Sequence, residues 1–293
     1  MAKNIIEINQ LTKYYGKHKG IEEVTFSVEE GEIYGFIGPN GAGKSTTIRT
    51  LLALIHPTKG NATIFGKDCI QKAAEIAQDV GYLPAEASYY EQMTVKDLLE
   101  YSAALYGINC STRMITLSDR LQLDLKRKIS QLSLGNKKKV GIIQAILHSP
   151  KLLILDEPTS GLDPLMQQIF FDILKEEKTK GATILFSSHV LSEVQKICDK
   201  VAIIKEGHII KEQKISELKN NGYKKIELTA KAQIPKNYFA EKDIANLKQE
   251  DCHVSFLFRG NINDILEKIW HLQVEDVAIE EPTLEEIFLH YYQ

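Results

Sequence analysis

Gly38-Pro39-Asn40-Gly41-Ala42-Gly43-Lys44-Ser45-Thr46 fits the phosphate-loop pattern G-x-x-x-x-G-K-[ST], and its flanks decide the fold. Ahead of it runs Ile33-Tyr34-Gly35-Phe36-Ile37, an apolar stretch suited to a buried parallel strand. Behind it, residues 46–54 space their apolar side chains as a helix does. Glycines let such a loop fold until successive N–H groups converge into an anion nest, and the helix N-terminus adds partial positive charge there. Gly38, Asn40, Gly41, Gly43, Lys44, Ser45 and Thr46 are therefore the phosphate-binding candidates. Lys44 is expected to reach the β- and γ-phosphates, and the Ser45 hydroxyl to ligate Mg²⁺. The stretch implies a bound nucleoside triphosphate.

Working outward, 293 residues suffice for one large core with a small appended domain. The apolar fraction of 43% and charged fraction of 26% are those of an ordinary globular protein. A net charge of −3 supplies no basic field, and from residue 220 onward 8 Lys+Arg face 13 Asp+Glu. Both argue against a nucleic-acid partner. Cys69, Cys110, Cys198 and Cys252 are scattered without a C-x-x-C pair, which points to a reducing compartment rather than a disulfide framework or zinc site. The N-terminus lacks a signal-peptide core, and no window approaches the ~18 continuous apolar residues of a membrane span. Any service to a membrane is expected from its cytoplasmic side, through a partner.

Residues 4–11 and 21–29 alternate like strands with one wet face, and Tyr15 lies between them just before Gly16. Tyr15 reads equally as a ring that stacks on a nucleotide base and as a half-buried surface tyrosine. Residues 61–66 and 80–83 suit further strands. Thr94 and Asp97 open a helix whose stripe of Val95, Leu98, Leu99 and Leu105 is expected in the core. Residues 88–148 form a mostly helical insertion. Leu152-Leu153-Ile154-Leu155 is an unbroken strand ending in Asp156-Glu157. Thr183-Ile184-Leu185-Phe186 delivers Ser187-Ser188-His189 to the same sheet edge, where α/β sites sit. Asn220-Asn221-Gly222 reads as a boundary between residues 1–219 and a tail, 220–293. In the tail, strands near 224–230, 252–258 and 274–279 are expected to alternate with helices near 237–248 and 261–271. A last helix opens at Thr283 with an apolar stripe of Leu284, Ile287, Phe288 and Tyr291.

Taken in order, residues 38–46, 132–136, 152–159, 160–163 and 187–189 resemble the motif set of an ABC transporter ATPase subunit, over about residues 1–218. The tail is similar to the accessory domain of some ATPases of bacterial drug and polysaccharide exporters. The resemblance implies a phosphate-loop NTPase domain of α/β class with a β-rich N-terminal part and a helical insertion, followed by a small α+β domain. It implies ATP and Mg²⁺ as cofactors, with Mg²⁺ held by Ser45 and Asp156. Glu157 takes the place of the general base, and His189 that of the histidine that touches the γ-phosphate. Two copies, or a copy and a related ATPase subunit, would clamp ATP head to tail. Ser133 and Gly135 of one chain would then grip the nucleotide on the other, with Asp163 tying the two sites together. The chain would lie on the inner face of the cell membrane through a transmembrane permease and power export.

Two stretches depart from that pattern. Leu132-Ser133-Leu134-Gly135-Asn136 stands where the family reads L-S-G-G-Q, and Ala85 where it has a Gln that contacts Mg²⁺. Lys137-Lys138-Lys139 opposes the dipole of its own helix, and reads either as a solvated cationic face or as a site near phosphate. Tyr89, Tyr90 and Met93 fall where the family docks its permease, or pack under the insertion. A soluble ABC-type ATPase acting on ribosomes or DNA, and a nucleotide-sensing regulator, are the alternative functions.

Overall fold

The computed structural model describes residues 3–219 and 222–282. It opens with an antiparallel hairpin, β1 (Asn4–Tyr15) and β2 (His18–Glu29). Strict alternation would carry the inward face of β1 from Ile6 and Ile8 to Gln10, yet Leu11 is the buried residue. Gln10 resolves this by adopting φ 48° at a register shift between Ile8 and Leu11, a bulge that re-phases the strand. β3 (Ile33–Ile37), buried at every position, leads through the phosphate loop into α1 (Lys44–Leu51). β4 (Lys59–Ile64) returns beside β1 and β5 (Lys67–Asp68) beside β4. Gly60 faces the bulge, where a Cβ would stand 2.2 Å from the Gln10 carbonyl oxygen. After α2 (Ala73–Ala77) comes β6 (Val80–Leu83).

The helical insertion contains α3 (Val95–Leu105), α4 (Ser111–Arg120), a 3₁₀ turn (Ile129–Gln131) and α5 (Leu134–Ile146). Thr94 caps α3 as expected, and the Asp97 side chain accepts from the Thr94 N–H in return, making the cap reciprocal. Val95, Leu98 and Leu99 are buried, but Leu105 is 70% exposed, because it falls in the last turn where α3 has left the core. The chain then lays down β7 (Leu152–Asp156), α6 (Pro164–Thr179), β8 (Thr183–Ser188), α7 (Leu191–Ile197), β9 (Lys200–Lys205) and β10 (His208–Lys214). A six-stranded sheet has the order β10-β9-β3-β8-β7-β6, with β9 through β6 parallel. The antiparallel sheet β2-β1-β4-β5 shares one apolar core with it, where Ile6, Val24 and Phe26 meet Tyr34, Ile154 and Leu185.

The chain divides into two compact units between Gln213 and Lys214, a few residues ahead of the expected turn. The second unit takes in α8 (Ile215–Lys219), then β11 (Lys224–Ala230), β12 (Ile244–Glu250), β13 (His253–Phe258), α9 (Ile262–Trp270) and β14 (Val274–Glu280). Its antiparallel sheet runs β12-β13-β11-β14. The expected helix over 237–248 is absent. Tyr238 and Phe239 lie in turns, and from Ile244 onward the segment is an edge strand with a bulge at Asn246 (φ 53°). One pairing partner and a bulge leave little periodicity to read. The expected helix after Thr283 lies outside the described residues. Among the described residues no helix is long and apolar enough to cross a membrane.

Within the first unit a buried carboxylate ties the helical insertion to α6. Glu177 of α6, 5% exposed, accepts from Arg113 of α4 at 2.7 Å and pairs with Lys180 at 2.8 Å. The Arg113 guanidinium also donates to the Ile146 carbonyl at the end of α5. Arg113→Met leaves a buried carboxylate and a carbonyl short of donors. It should lower stability by about 2–3 kcal/mol in urea denaturation followed by circular dichroism.

Candidate active site

Parallel register sets the site. Ile37 of β3 pairs with Ser188 of β8, and Ser187 pairs with Asp156 of β7, so three strands end at one level. The phosphate loop leaves the first of them, and Gly38 N–H donates to the Ser188 carbonyl at 3.4 Å. Gly38 must lack a side chain, since a Cβ would meet the Ile204 carbonyl oxygen at 2.3 Å. Gly41 (φ 80°) and Gly43 (φ 111°) occupy left-handed backbone that turns the loop over α1.

Lys44 is 6% exposed, and its ammonium donates to the carbonyls of Gly38 at 2.7 Å and Pro39 at 3.2 Å. The same Nζ lies 3.2 Å from Glu157 Oε1, an ion pair without the angle of a directional hydrogen bond. Ser45 and Thr46 follow in the first turn of α1, both half-buried. Tyr15 is 46% exposed with the Lys13 ammonium over its ring, 5.4 Å from the centroid. Its ring edge and the Thr46 methyl both crowd the bare face of Gly20, so Tyr15 stands next to the start of α1 with much of its ring free.

Asp156 is 1% exposed. Its Oδ1 accepts from Ser187 Oγ at 2.7 Å, while Oδ2 is buried without a partner. Glu157, next along, has φ 48°, a strained conformation for a residue with a Cβ. Its N–H donates to both the carbonyl (3.3 Å) and the hydroxyl (3.2 Å) of Ser187. Its Oε2 lies 2.7 Å from His189 Nδ1. A carboxylate that close requires the proton on Nδ1, which leaves Nε2 of the half-exposed ring for another partner. Ser188 stabilises the turn into α7, donating to the buried Glu193 at 2.7 Å.

Lys44, Asp156, Glu157 and His189 thus converge at one edge, as the sequence predicts. Ser133, Gly135 and Asp163 gather in a separate pair of turns. Ser133 caps α5, accepting from Asn136 N–H at 3.3 Å, and Asp163 caps α6, accepting from Met166 N–H at 3.0 Å. Gly135 packs on the turn before Asp163, where a Cβ would stand 2.6 Å from the Gly161 carbonyl oxygen.

The lysine run is not a solvated face: Lys138 and Lys139 are each 8% exposed. Lys138 Nζ donates to the carbonyls of Ala85 (2.8 Å), Glu157 (3.1 Å) and Pro84 (3.5 Å). Burial holds its ammonium below the usual lysine range, against the opposing fields of Asp156, Glu157 and Glu86. The sequence puts Ser187 at the active sheet edge and leaves Lys138 open between solvent and the site, and the structure gives each a specific partner there. Their signal is a polar residue on a buried face: Ser187 is the next-to-last residue of a buried strand, and Lys138 precedes buried Ile142 by one helical turn.

Tyr89 is half-buried, and its hydroxyl donates to the Lys137 carbonyl at 3.3 Å. Tyr90 is 63% exposed and meets Tyr101 edge to face at 6.1 Å. They line a groove of about 290 Å³ together with Tyr82, Pro84 and Glu86.

Residues 21–160 match the family described as ABC transporter. The chain is 39% identical over 229 residues to the bacitracin transport ATP-binding protein BcrA of Bacillus licheniformis, spanning 76% of this chain and 74% of that protein. It is 38% identical over 198 residues to the ABC transporter ATP-binding protein NatA of Bacillus subtilis, spanning 66% and 80%. Among solved structures, an ATP-binding subunit of an ABC transporter matches with a TM-score of 0.70 and 32% identity, over 74% of this chain and 92% of that one. A dimeric bacterial ABC transporter cassette, 22% identical with a TM-score of 0.67, shares the fold. A phosphate loop facing an Asp-Glu strand end and a histidine, in a sequence this close to such relatives, places the chain in the family of ABC transporter ATP-binding subunits.

Proposed function

We propose that the chain hydrolyses ATP between two copies of itself, or between itself and a related subunit, and so drives export through a separate membrane permease. The observation that carries this reading is the placement of Glu157, whose carboxylate touches Lys44 on one side and His189 on the other. A base belongs between the group that grips the terminal phosphate and the group that orients the attacking water. The orphaned Oδ2 of Asp156 fits a Mg²⁺ ion, which needs one or two carboxylates and takes its remaining ligands from water and phosphate. Asp156 and the Ser45 hydroxyl would hold the ion, and it would neutralise charge on the phosphate oxygens.

The residues present account for the remaining work. The loop N–H groups and Lys44 bind the phosphates and stabilise charge as it redistributes over the transferring group. Glu157 receives the proton of the attacking water through Oε1 or Oε2. His189 keeps the carboxylate in place through Nδ1–H and offers Nε2 toward the same region. Tyr15, free over much of its ring beside α1, serves the adenine by stacking. Ser133 and Gly135, exposed or half-buried in their turn, supply a hydroxyl and an N–H to the nucleotide of the second copy. The groove lined by Tyr89 and Tyr90 receives the permease, which carries the chain on the inner face of the membrane. The second unit is an accessory domain.

Glu157→Gln should retain Mg-ATP binding while turnover falls by at least about 100-fold, as expected for loss of a general base. The same variant should elute as a dimer with Mg-ATP in size exclusion; hydrolysis at the wild-type rate would remove Glu157 as the base. Lys44→Ala should weaken ATP binding about tenfold or more by calorimetry, since a charge-assisted contact to phosphate is lost. Unchanged affinity would contradict the role of Lys44.

A further inference from the structure

A general base acts only from a fixed position, and Glu157 has a backbone that resists being fixed. At φ 48° its Cβ is crowded by its own main chain, so neighbouring groups must hold it there. The N–H side of the residue is held by Ser187, through two acceptors on β8. The carbonyl side accepts from the ammonium of Lys138 at 3.1 Å and, less closely, from the Ser160 N–H of its own turn at 3.4 Å, so Lys138 is the tie from outside that turn.

That ammonium is saturated in an unusual way. It has three N–H donors and reaches three carbonyl oxygens, those of Pro84, Ala85 and Glu157, with no carboxylate in ion-pair contact among those described. Burying a charge at 8% exposure on main-chain acceptors costs desolvation that an apolar residue would not incur. The flanking positions of α5 make the cost more pointed. Val140, Ile142 and Ile143 are fully buried, and Lys138 lies on the inward face with Ile142. A long apolar side chain would fill that face more simply. What it could not do is join the end of β6, the end of β7 and the helix that Ser133 caps.

We propose that Lys138 is a positioning residue for the hydrolytic reaction: its ammonium fixes the Glu157 main chain, and through it the direction of the carboxylate, against the carbonyls that follow β6. This rests on the reading of Glu157 as the base. It also gives the Ala85 segment a tie to the site that uses the main chain of residue 85 rather than its side chain, so the missing glutamine does not leave the segment unattached.

Lys138→Met keeps the length of the side chain and removes the three donors. In full-length protein, steady-state ATPase assays should show kcat lower by about 10- to 100-fold, the loss expected when a reacting group is displaced by about an ångström. Calorimetric Mg-ATP affinity of the same variant should stay within about twofold of wild type, because Lys44 and the phosphate loop are untouched. Wild-type kcat in a folded Lys138→Met protein would overturn the proposal, as would an affinity loss equal to the loss in kcat. If Lys138→Met does not fold by circular dichroism, Lys138→Gln carries the test. Its shorter amide reaches fewer carbonyls, so kcat should fall several-fold with affinity kept, and wild-type kcat there overturns the proposal equally. Glu157→Gln run alongside separates the two claims. If it retains turnover the base assignment fails, whereas its inactivity beside a fully active Lys138→Met protein rejects only the role of Lys138.

Discussion

Everything at the active edge depends on the register of three parallel strands. Because Ile37 pairs with Ser188 and Asp156 with Ser187, the phosphate loop, the acidic pair and the histidine leave the sheet at the same height. A parallel ladder shifted by one residue would turn Asp156 to the opposite face and break the Ser187–Asp156 hydrogen bond at 2.7 Å. The apolar residues beneath set that register, since β3, β7 and β8 are buried at every position and have no face to spare. Hydrophobic burial thus fixes where the charges stand, although none of the charged groups contributes to that burial.

The charges themselves are balanced before any phosphate arrives. Lys44 and Lys138 are cationic, Asp156 and Glu157 anionic, and all four lie within one connected set of contacts. A triphosphate brings several negative charges into this neutral cluster, more than the loop N–H groups and one lysine offset. That excess explains why the proposed site calls for a divalent cation at Asp156 and for donors from a second chain. It also gives Lys44 two roles in sequence. Its ammonium now rests on the Gly38 carbonyl and beside Glu157, and either contact can be exchanged for phosphate without unpairing a buried charge.

Features written in consecutive residues were legible in the sequence. The phosphate loop, the Asp156-Glu157 strand end, the Thr94–Asp97 cap and the strand before His189 each carry their signal within a few positions. Features that depend on distant parts of the chain were not. Lys138 looks like one of three charges at a helix start, and only the folded chain reveals the Ala85 and Glu157 carbonyls facing it. Leu105 continues the apolar spacing of α3 beyond the point where the core ends. The segment 237–248 has the composition of a helix, yet β13 offers an open edge that claims its second half as β12, a case of tertiary pairing overriding local preference.

The turns that carry Ser133 and Asp163 are where the proposed dimer would complete each site. Gly135 lies against the Gly161 carbonyl so closely that neither turn can shift without the other, and Leu134, 73% exposed, stands over Gly161. The N-termini of α5 and α6 both open here, each capped by a side chain, Ser133 and Asp163. The Asp163 carboxylate caps α6, whereas α5 is capped by the neutral Ser133 hydroxyl and would still favour an anion. In the proposed dimer the γ-phosphate of the facing site supplies the anion. Ordering of the Ser133 turn would then bear on Glu157 through Lys138, which lies on the same helix. Nucleotide bound by one copy would in this way steady the base of the other, which is a physical reason for hydrolysis to wait until both chains are in place.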